Sequence, residues 1–387
     1  MRAHNYHRLG AQVLVGAAIL ALAACGTVQA GNANSSGTSG RRVTSDAASS
    51  FAGTADAAAA FAGPAGWRVI AGSNRFQVTS DGGRAWRSDA LPASIPVADV
   101  RDISSAPGEA TVVAAVVRGI VKVAAQARPG ASWSVTSTTP RWPREYRIAG
   151  PPGFLALTQA PHGFVGLVAG LSIGMSSELV DFFTSTNGGA SFGRVMSENS
   201  LVWRSTAFRS ARDGIAVEGP AGTFLYHTTD GGAQWAKSAI PAGLRGAEFS
   251  NPLAVAGGFL VAATRTASSG AQRVVILRSI DGRSFSRAGT PLVIPARYNG
   301  GDVIASAVAG HIWIFGGALF ISTDAGQSWT RVHAAGLPRG VISASLASPT
   351  TASAVVESNS CMAYKSDCSS SEHTLITEDS GRAWSRQ

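Results

Sequence analysis

The sequence predicts an all-β fold, a closed ring of seven blades with four antiparallel strands each, and three features predict it. A short acidic turn with the pattern S/T-x-D-x-G-x-x-W/F recurs to the end of the chain, as in Thr79-Ser80-Asp81-Gly82-Gly83-Arg84-Ala85-Trp86. Its copies are spaced 43 to 59 residues apart. Three short alternating runs precede a copy and a fourth leaves it. A unit of this kind has an apolar face that it buries only against a neighbour, so the units stack radially and close as a seven-bladed β-propeller.

Clear copies of the box begin at Thr79, Thr228, Ser322 and Thr377. Ser185 begins another, with Asn187 at the acidic position and Phe192 at the aromatic one. A sixth, Ser279 to Phe285, is one residue short. The gap between the first two strong copies on either side of residue 128 is about twice the period, and Arg128-Pro129-Gly130-Ala131-Ser132-Trp133 fills it as a worn copy. The anchors are therefore residues 81, 128, 187, 230, 281, 324 and 379, and seven units occupy residues 53–387.

Each box residue has a structural task. The side chains of Asp81, Asn187, Asp230, Asp281, Asp324 and Asp379 accept backbone N–H groups of their own turn. Gly83, Gly189, Gly232, Gly326 and Gly381 supply a positive φ or close backbone approach. Trp86, Phe192, Trp235, Phe285, Trp329 and Trp384 fold back over the turn and pack between sheets. A periodic set that tolerates Asn187 and Arg128 is read as a turn device, with no catalytic, metal or cofactor role assigned to it. The glycine-rich segments also lack the Lys-Ser/Thr of a phosphate loop.

One unit shows the order within a blade. Ser205 to Phe208 is a strand, Ser210 to Gly214 turns, and Ile215 to Glu218 is the second strand. Thr223 to Thr228 alternates as the third and runs into the box, and Trp235 to Ser238 leaves as the fourth. The same order holds from Ala58 to Trp86 and from Val303 to Trp329, with Gly66–Gly72 and Ile312–Gly316 as second strands.

The start of the chain reads differently. Residues 1–24 carry a basic head and an apolar run, Val13 to Ala24, too short to span a bilayer, which is the form of an export signal. Leu22-Ala23-Ala24-Cys25 matches a bacterial lipobox, so Cys25 is expected to carry acyl chains that anchor the protein in membrane lipid. An ordinary secretory signal cut after Ala24 or Ala30 is the alternative. Residues 25–52, rich in Gly, Ser, Thr, Asn and Ala, are expected to be a flexible tether. The expected location is extracytoplasmic, on a bacterial cell envelope.

The formal charge is +9, or +7 once Arg2 and Arg8 leave with the signal. That excess favours acidic partners or surfaces, yet it is diffuse and no nucleic-acid motif accompanies it. Cys361 and Cys368, in a polar insertion of an exported chain, are expected to form a local disulfide, with two free thiols as the alternative. With only His373 nearby they make an incomplete metal set. A monomer is expected.

The repeated pattern resembles the Asp-box, or BNR, repeats of the sialidase superfamily, over about 330 residues. Gly66-Trp67-Arg68-Val69 and Asp81-Gly82-Gly83-Arg84-Ala85-Trp86 are closest in style to the Ycf48-like photosystem II assembly factors, and sortilin-type receptors and xyloglucan-degrading glycosidases share the repeat. The resemblance implies the propeller fold and leaves the activity open. A sialidase would need an F/Y-R-I-P segment ahead of the first box; Tyr146-Arg147-Ile148-Ala149 follows the second and lacks the proline.

A glycosidase using two carboxylates from distant blades is the alternative function. Outside the boxes its candidates are Asp99, Asp102, Glu178, Asp181, Asp213, Glu248 and Asp302, each read first as a loop or strand-end residue. Trp67 and Trp313 fall at inward positions, leaving Trp142 and Trp203 as candidate surface contacts. Arg141, Trp142, Arg144, Tyr146 and Arg147, in the proline-framed loop before the third blade, form a candidate partner-binding rim. The insertion at Cys361 to Cys368 is a second candidate, as a stapled loop is preorganised. The resulting expectation is an anchored propeller that binds an envelope protein or glycan without chemistry of its own.

Overall fold

The computed structural model describes residues 58–62, 64–70, 74–106, 108–142, 150–174, 177–200, 203–218, 222–298, 303–360 and 369–386. The signal, tether, Cys25, Cys361, Cys368, Arg144, Tyr146, Arg147 and Asp302 lie outside the described residues. All the described residues belong to one compact unit.

That unit is a seven-bladed β-propeller of antiparallel sheets, each made from consecutive strands. Blade 1 comprises Ala59–Ala62, Ala65–Ile70, Arg75–Thr79 and Arg87–Asp89. Blade 2 comprises Val100–Ser104, Thr111–Val117, Ile120–Gln126 and Ser134–Thr138, and blade 3 Phe154–Ala160, Phe164–Gly174, Ser177–Ser185 and Gly193–Ser200. Blade 4 comprises Trp203–Phe208, Gly214–Glu218, Phe224–Thr228 and Ala236–Lys237. Blade 6 comprises Ile304–Val308, His311–Phe315, Leu319–Ser322 and Thr330–Val332, and blade 7 Val341–Leu346, Ala352–Ser360, Ser369–Thr377 and Ser385–Arg386.

Blade 5 departs from the four-strand pattern. Its first strand is broken into Glu248–Phe249 and Leu253–Val255, both paired to Gly258–Thr266, before Gln272–Ser279 and Ser286–Ile294 complete the sheet. Pro252 falls in the break, where a residue without an N–H cannot extend the ladder.

First strands of successive blades are mutual neighbours around the ring, so they line the axis, and that of blade 1 lies beside that of blade 7. Among the described residues no sheet combines strands from the two ends of the chain. At this seam Arg84 of the first box meets Glu378 of the last at 3.2 Å.

Apolar clusters fill the joints between adjacent blades. Val217, Leu225 and Leu244 meet Val261, Val275 and Leu277 between blades 4 and 5, and Trp313 and Phe315 meet Val356 and Leu375 between blades 6 and 7. Trp67 and Trp313 are both buried, at the inward positions expected of them. Among the described residues such clusters span the six successive joints from blade 1 to blade 7, so blades 2 to 6 bury apolar residues on both faces, the condition under which half-apolar sheets are stable side by side.

Candidate functional site

Every box, the worn one included, lies between the third and fourth strands of its blade. Successive strands are antiparallel, so these turns share one end of the ring with the hairpins between first and second strands. The hairpins between second and third strands, and the connections from one blade to the next, gather at the other end.

The box turns are closed by hydrogen bonds. In five of them the Ser or Thr hydroxyl donates to the Asp or Asn Oδ1 at 2.7–2.8 Å: Thr79 to Asp81, Ser185 to Asn187, Thr228 to Asp230, Ser322 to Asp324 and Thr377 to Asp379. The same hydroxyl accepts the N–H of Gly83, Gly189, Gly232, Gly326 or Gly381. Oδ1 then accepts the N–H four residues on, from Ala85, Ser191, Gln234, Ser328 or Ala383. The shortened box shifts these bonds: Ser279 accepts from Gly282, and Asp281 from Arg283. In the worn copy the Gln126 amide, bonded to the Ala131 carbonyl, stands where the hydroxyl would be.

These bonds favour the charged carboxylates. The Ala85 N–H, then the Thr79 hydroxyl, hold Asp81 below the usual range, and the Ala383 N–H does most to lower Asp379. Asp324 falls to about 2, chiefly through the Ser328 and Ser322 hydroxyls. For Asp230, burial pushes the carboxyl up, but the Gln234 N–H and Thr228 hydroxyl together outweigh it.

Box aromatics pack on the preceding blade. Trp235 meets Phe182, Trp384 meets Trp313, and Trp133 meets Phe76, each edge to face.

Carboxylates outside the boxes are held in separate places. Asp102, on the first strand of blade 2, accepts the N–H of its neighbour Ile103 at 2.8 Å and that of Leu157, on the first strand of blade 3, at 2.6 Å. Burial pushes its pKa up to about 7 despite both bonds. Asp181 is fully buried on the third strand of blade 3 and accepts the Arg141 N–H at 2.5 Å, with Arg194 at 3.7 Å. Glu178, three residues earlier on that strand, falls on the opposite face. Asp213 is engaged by Arg209 and Ser210 in a hairpin of blade 4. Asp99 ends the turn Val97–Asp99, and Glu248 is exposed at the start of blade 5. Among the described residues no three His, Cys, Asp or Glu side chains converge.

The candidate rim is described at Arg141 and Trp142. Asp181 pins the backbone where the loop begins, and the Trp142 indole donates to the Gly150 carbonyl at 3.2 Å, so the two ends of the loop are tied. Arg141 is exposed and Trp142 half-buried. The side chain of Trp203 lies outside the description.

This connection belongs to the end opposite the boxes, where exposed Arg118, Arg141, Arg245, Arg265, Arg297 and Arg339 lie in or beside the hairpins and connections; exposed cations also stand at the box end, among them Arg84, Arg128, Arg212, Arg283 and Arg382. Asp89, Asp99, Glu218 and Glu248 are also there. The acids Asp81, Glu109, Asp213, Asp230, Asp324 and Asp379 belong to the box end.

Sequence reasoning missed a second repeat at the cationic end. Ile95-Pro96, Ile240-Pro241 and Ile294-Pro295 each open a single 3₁₀ turn, closed by N–H bonds from Asp99, Leu244 and Tyr298 to the proline carbonyls. The recurring Ile-Pro pair was the available signal. Between blades 4 and 5 such a turn walls a groove of about 160 Å³, lined by Gly243, Leu244, Arg265, Arg273, Val275 and Arg287.

No protein-family model and no curated protein matches the chain. Solved structures similar to it include Ycf48 bound to a D1 peptide, with 18% identity over 84% of this chain and 89% of that one and a TM-score of 0.48. Ycf48 from Cyanidioschyzon merolae is similar at 13% identity over 84% of this chain and 93% of that one, with a TM-score of 0.45. The glycoside hydrolase family 74 enzyme of Niastella koreensis matches at 10% identity over 87% of this chain and 71% of that one, with a TM-score of 0.28.

Proposed function

We propose that this chain is a binding body of the bacterial envelope, tethered to membrane lipid through an acylated Cys25, that recognises an anionic protein or glycan with the end of the ring opposite the boxes. The observation that carries this reading is the balance of charge: at the connections exposed arginines outnumber the acids, whereas the cations of the box end are matched by carboxylates, which are engaged in their own turns. An end of one dominant sign draws partners of the other and orients them on approach. The tied loop at Arg141 and Trp142 adds an aromatic and a cation at a fixed place on that end.

Two experiments test the proposal. Cell fractionation should find the protein in the membrane sediment and the Cys25→Ser variant released from it; equal partition contradicts the anchor. Incubation of the purified chain with xyloglucan, other polysaccharides and a sialoside should leave them intact, and cleavage by the wild type would replace the binding reading with a glycosidase.

A further inference from the structure

The groove between blades 4 and 5 has properties that a solvated basic surface does not need. Arg265 and Arg273 sit directly opposite one another on the second and third strands of blade 5. Like charges in that position repel, and the pair is destabilising unless something neutralises it. Alternation places both on the face that carries Val261 and Val275 toward blade 4, whereas Glu248 falls on the other face. Arg287 reaches the same place from the fourth strand: its Nη2 stands 3.1 Å from where a Cβ on Gly243 would lie, so the missing side chain makes its room. Among the described residues no carboxylate forms an ion pair with any of the three.

One member is fixed in advance. Arg265 donates to the Gly243 carbonyl at 3.2 Å and the Arg245 carbonyl at 2.9 Å, holding its guanidinium at the wall. Leu244 and Val275 floor the groove, and its volume of about 160 Å³ is room enough for a small group such as phosphate.

We infer that this groove is a binding site for a phosphate group. One guanidinium fork saturates the two oxygens of a carboxylate, whereas three cations around one small space match the greater charge and the additional oxygens of a phosphate. The inference names a ligand for one pocket of the end proposed above to bind, and it rests on that reading. Its test is separate, because phosphate is measured with no macromolecular partner present.

The full chain carrying Cys25→Ser, so that no acyl anchor contributes, is titrated with inorganic phosphate by calorimetry at constant ionic strength. Saturable binding of one phosphate is expected. Arg273→Gln and Arg287→Gln should each weaken it about tenfold or more, the loss of one charge-assisted hydrogen bond. Arg273→Lys, which keeps charge without the fork, should fall between, and Arg212→Gln at the box end should change nothing. Gly243→Leu fills the groove while keeping all three arginines, and should abolish binding if the glutamine variants fail to fold. Co-sedimentation with phosphatidylglycerol but not phosphatidylcholine vesicles, lost in Arg273→Gln, identifies the ligand as a lipid headgroup; phosphate binding without vesicle binding identifies a free phosphorylated ligand. Absence of saturable phosphate binding, or equal loss in Arg212→Gln, overturns the site.

Discussion

Thr228→Val is the sharpest test of what the boxes are for. The hydroxyl of Thr228 is buried, donates to Asp230 at 2.8 Å and accepts the N–H of buried Gly232 at 2.9 Å. Valine preserves the shape and removes both bonds. Leaving the Gly232 N–H without an acceptor costs about 1–3 kcal/mol, and the lost bond to the exposed carboxylate adds about 0.5–1, so a loss of about 2–4 kcal/mol is expected. Thr228→Ser keeps the hydroxyl, as Ser185, Ser279 and Ser322 do naturally, and removes one methyl at a cost of about 1 kcal/mol or less. Urea unfolding of the three proteins measures both, with an unchanged slope confirming that stability alone has moved. A second readout is the Asp230 carboxyl, which the Thr228 hydroxyl helps to hold down and which should titrate higher in the valine variant. Equal losses in Thr228→Val and Thr228→Ser, or no loss in either, would refute the turn-closing role.

Four further outcomes are expected. With its pKa raised to about 7, Asp102 keeps its proton in the native state where the unfolded chain, near 4, has lost it. Stability from this group is therefore fully present below pH ~4 and declines as pH rises to ~7, by about 1 kcal/mol per pH unit, and Asp102→Asn should flatten unfolding curves compared at pH 5 and 7. Ser380 holds a φ of 62° in the last box, so Ser380→Gly should stabilise by about 0.5 kcal/mol. Gly232 has a φ of 93° and an added Cβ would collide with the Phe182 ring, so Gly232→Ala should cost about 2–4 kcal/mol in the same assay. Asp181→Ala unpins the Arg141 backbone, and trypsin should then cut after Arg141 about tenfold faster than in the wild type, read by mass spectrometry.

The blade count and the place of each box were legible because they depend on residues local in sequence. Asp81, Asp230 and Asp324 act on N–H groups only four residues away, and even Arg128 keeps its turn through Gly130, whose φ is 81°. The role of the leading Ser or Thr was equally local, yet the carboxylate drew attention from it. Two successive left-handed residues per turn were hidden where Ala325 and Ser380 take the first place instead of glycine. The broken first strand of blade 5 was signalled by Pro252 alone. The arginine groove was not legible from spacing, since Arg287 joins Arg265 and Arg273 only through sheet pairing and a wall from another blade. One clue existed: a turn at Ser268-Ser269-Gly270 sets Arg265 against Arg273, an arrangement a sheet normally avoids.

The central claim, that the ring works through its cationic end, is tested most directly by reversing charge one end at a time. Affinity for an immobilised acidic polymer, polyglutamate or polygalacturonate, is measured for the wild type, for Arg245→Glu/Arg297→Glu/Arg339→Glu, and for Arg128→Glu/Arg212→Glu/Arg382→Glu. The account expects the first triple variant to lose binding by an order of magnitude or more, with a weaker dependence on salt, and the second to remain within about threefold of the wild type. Equal losses from both ends would reduce the effect to net charge, and a larger loss from the box end would contradict the account.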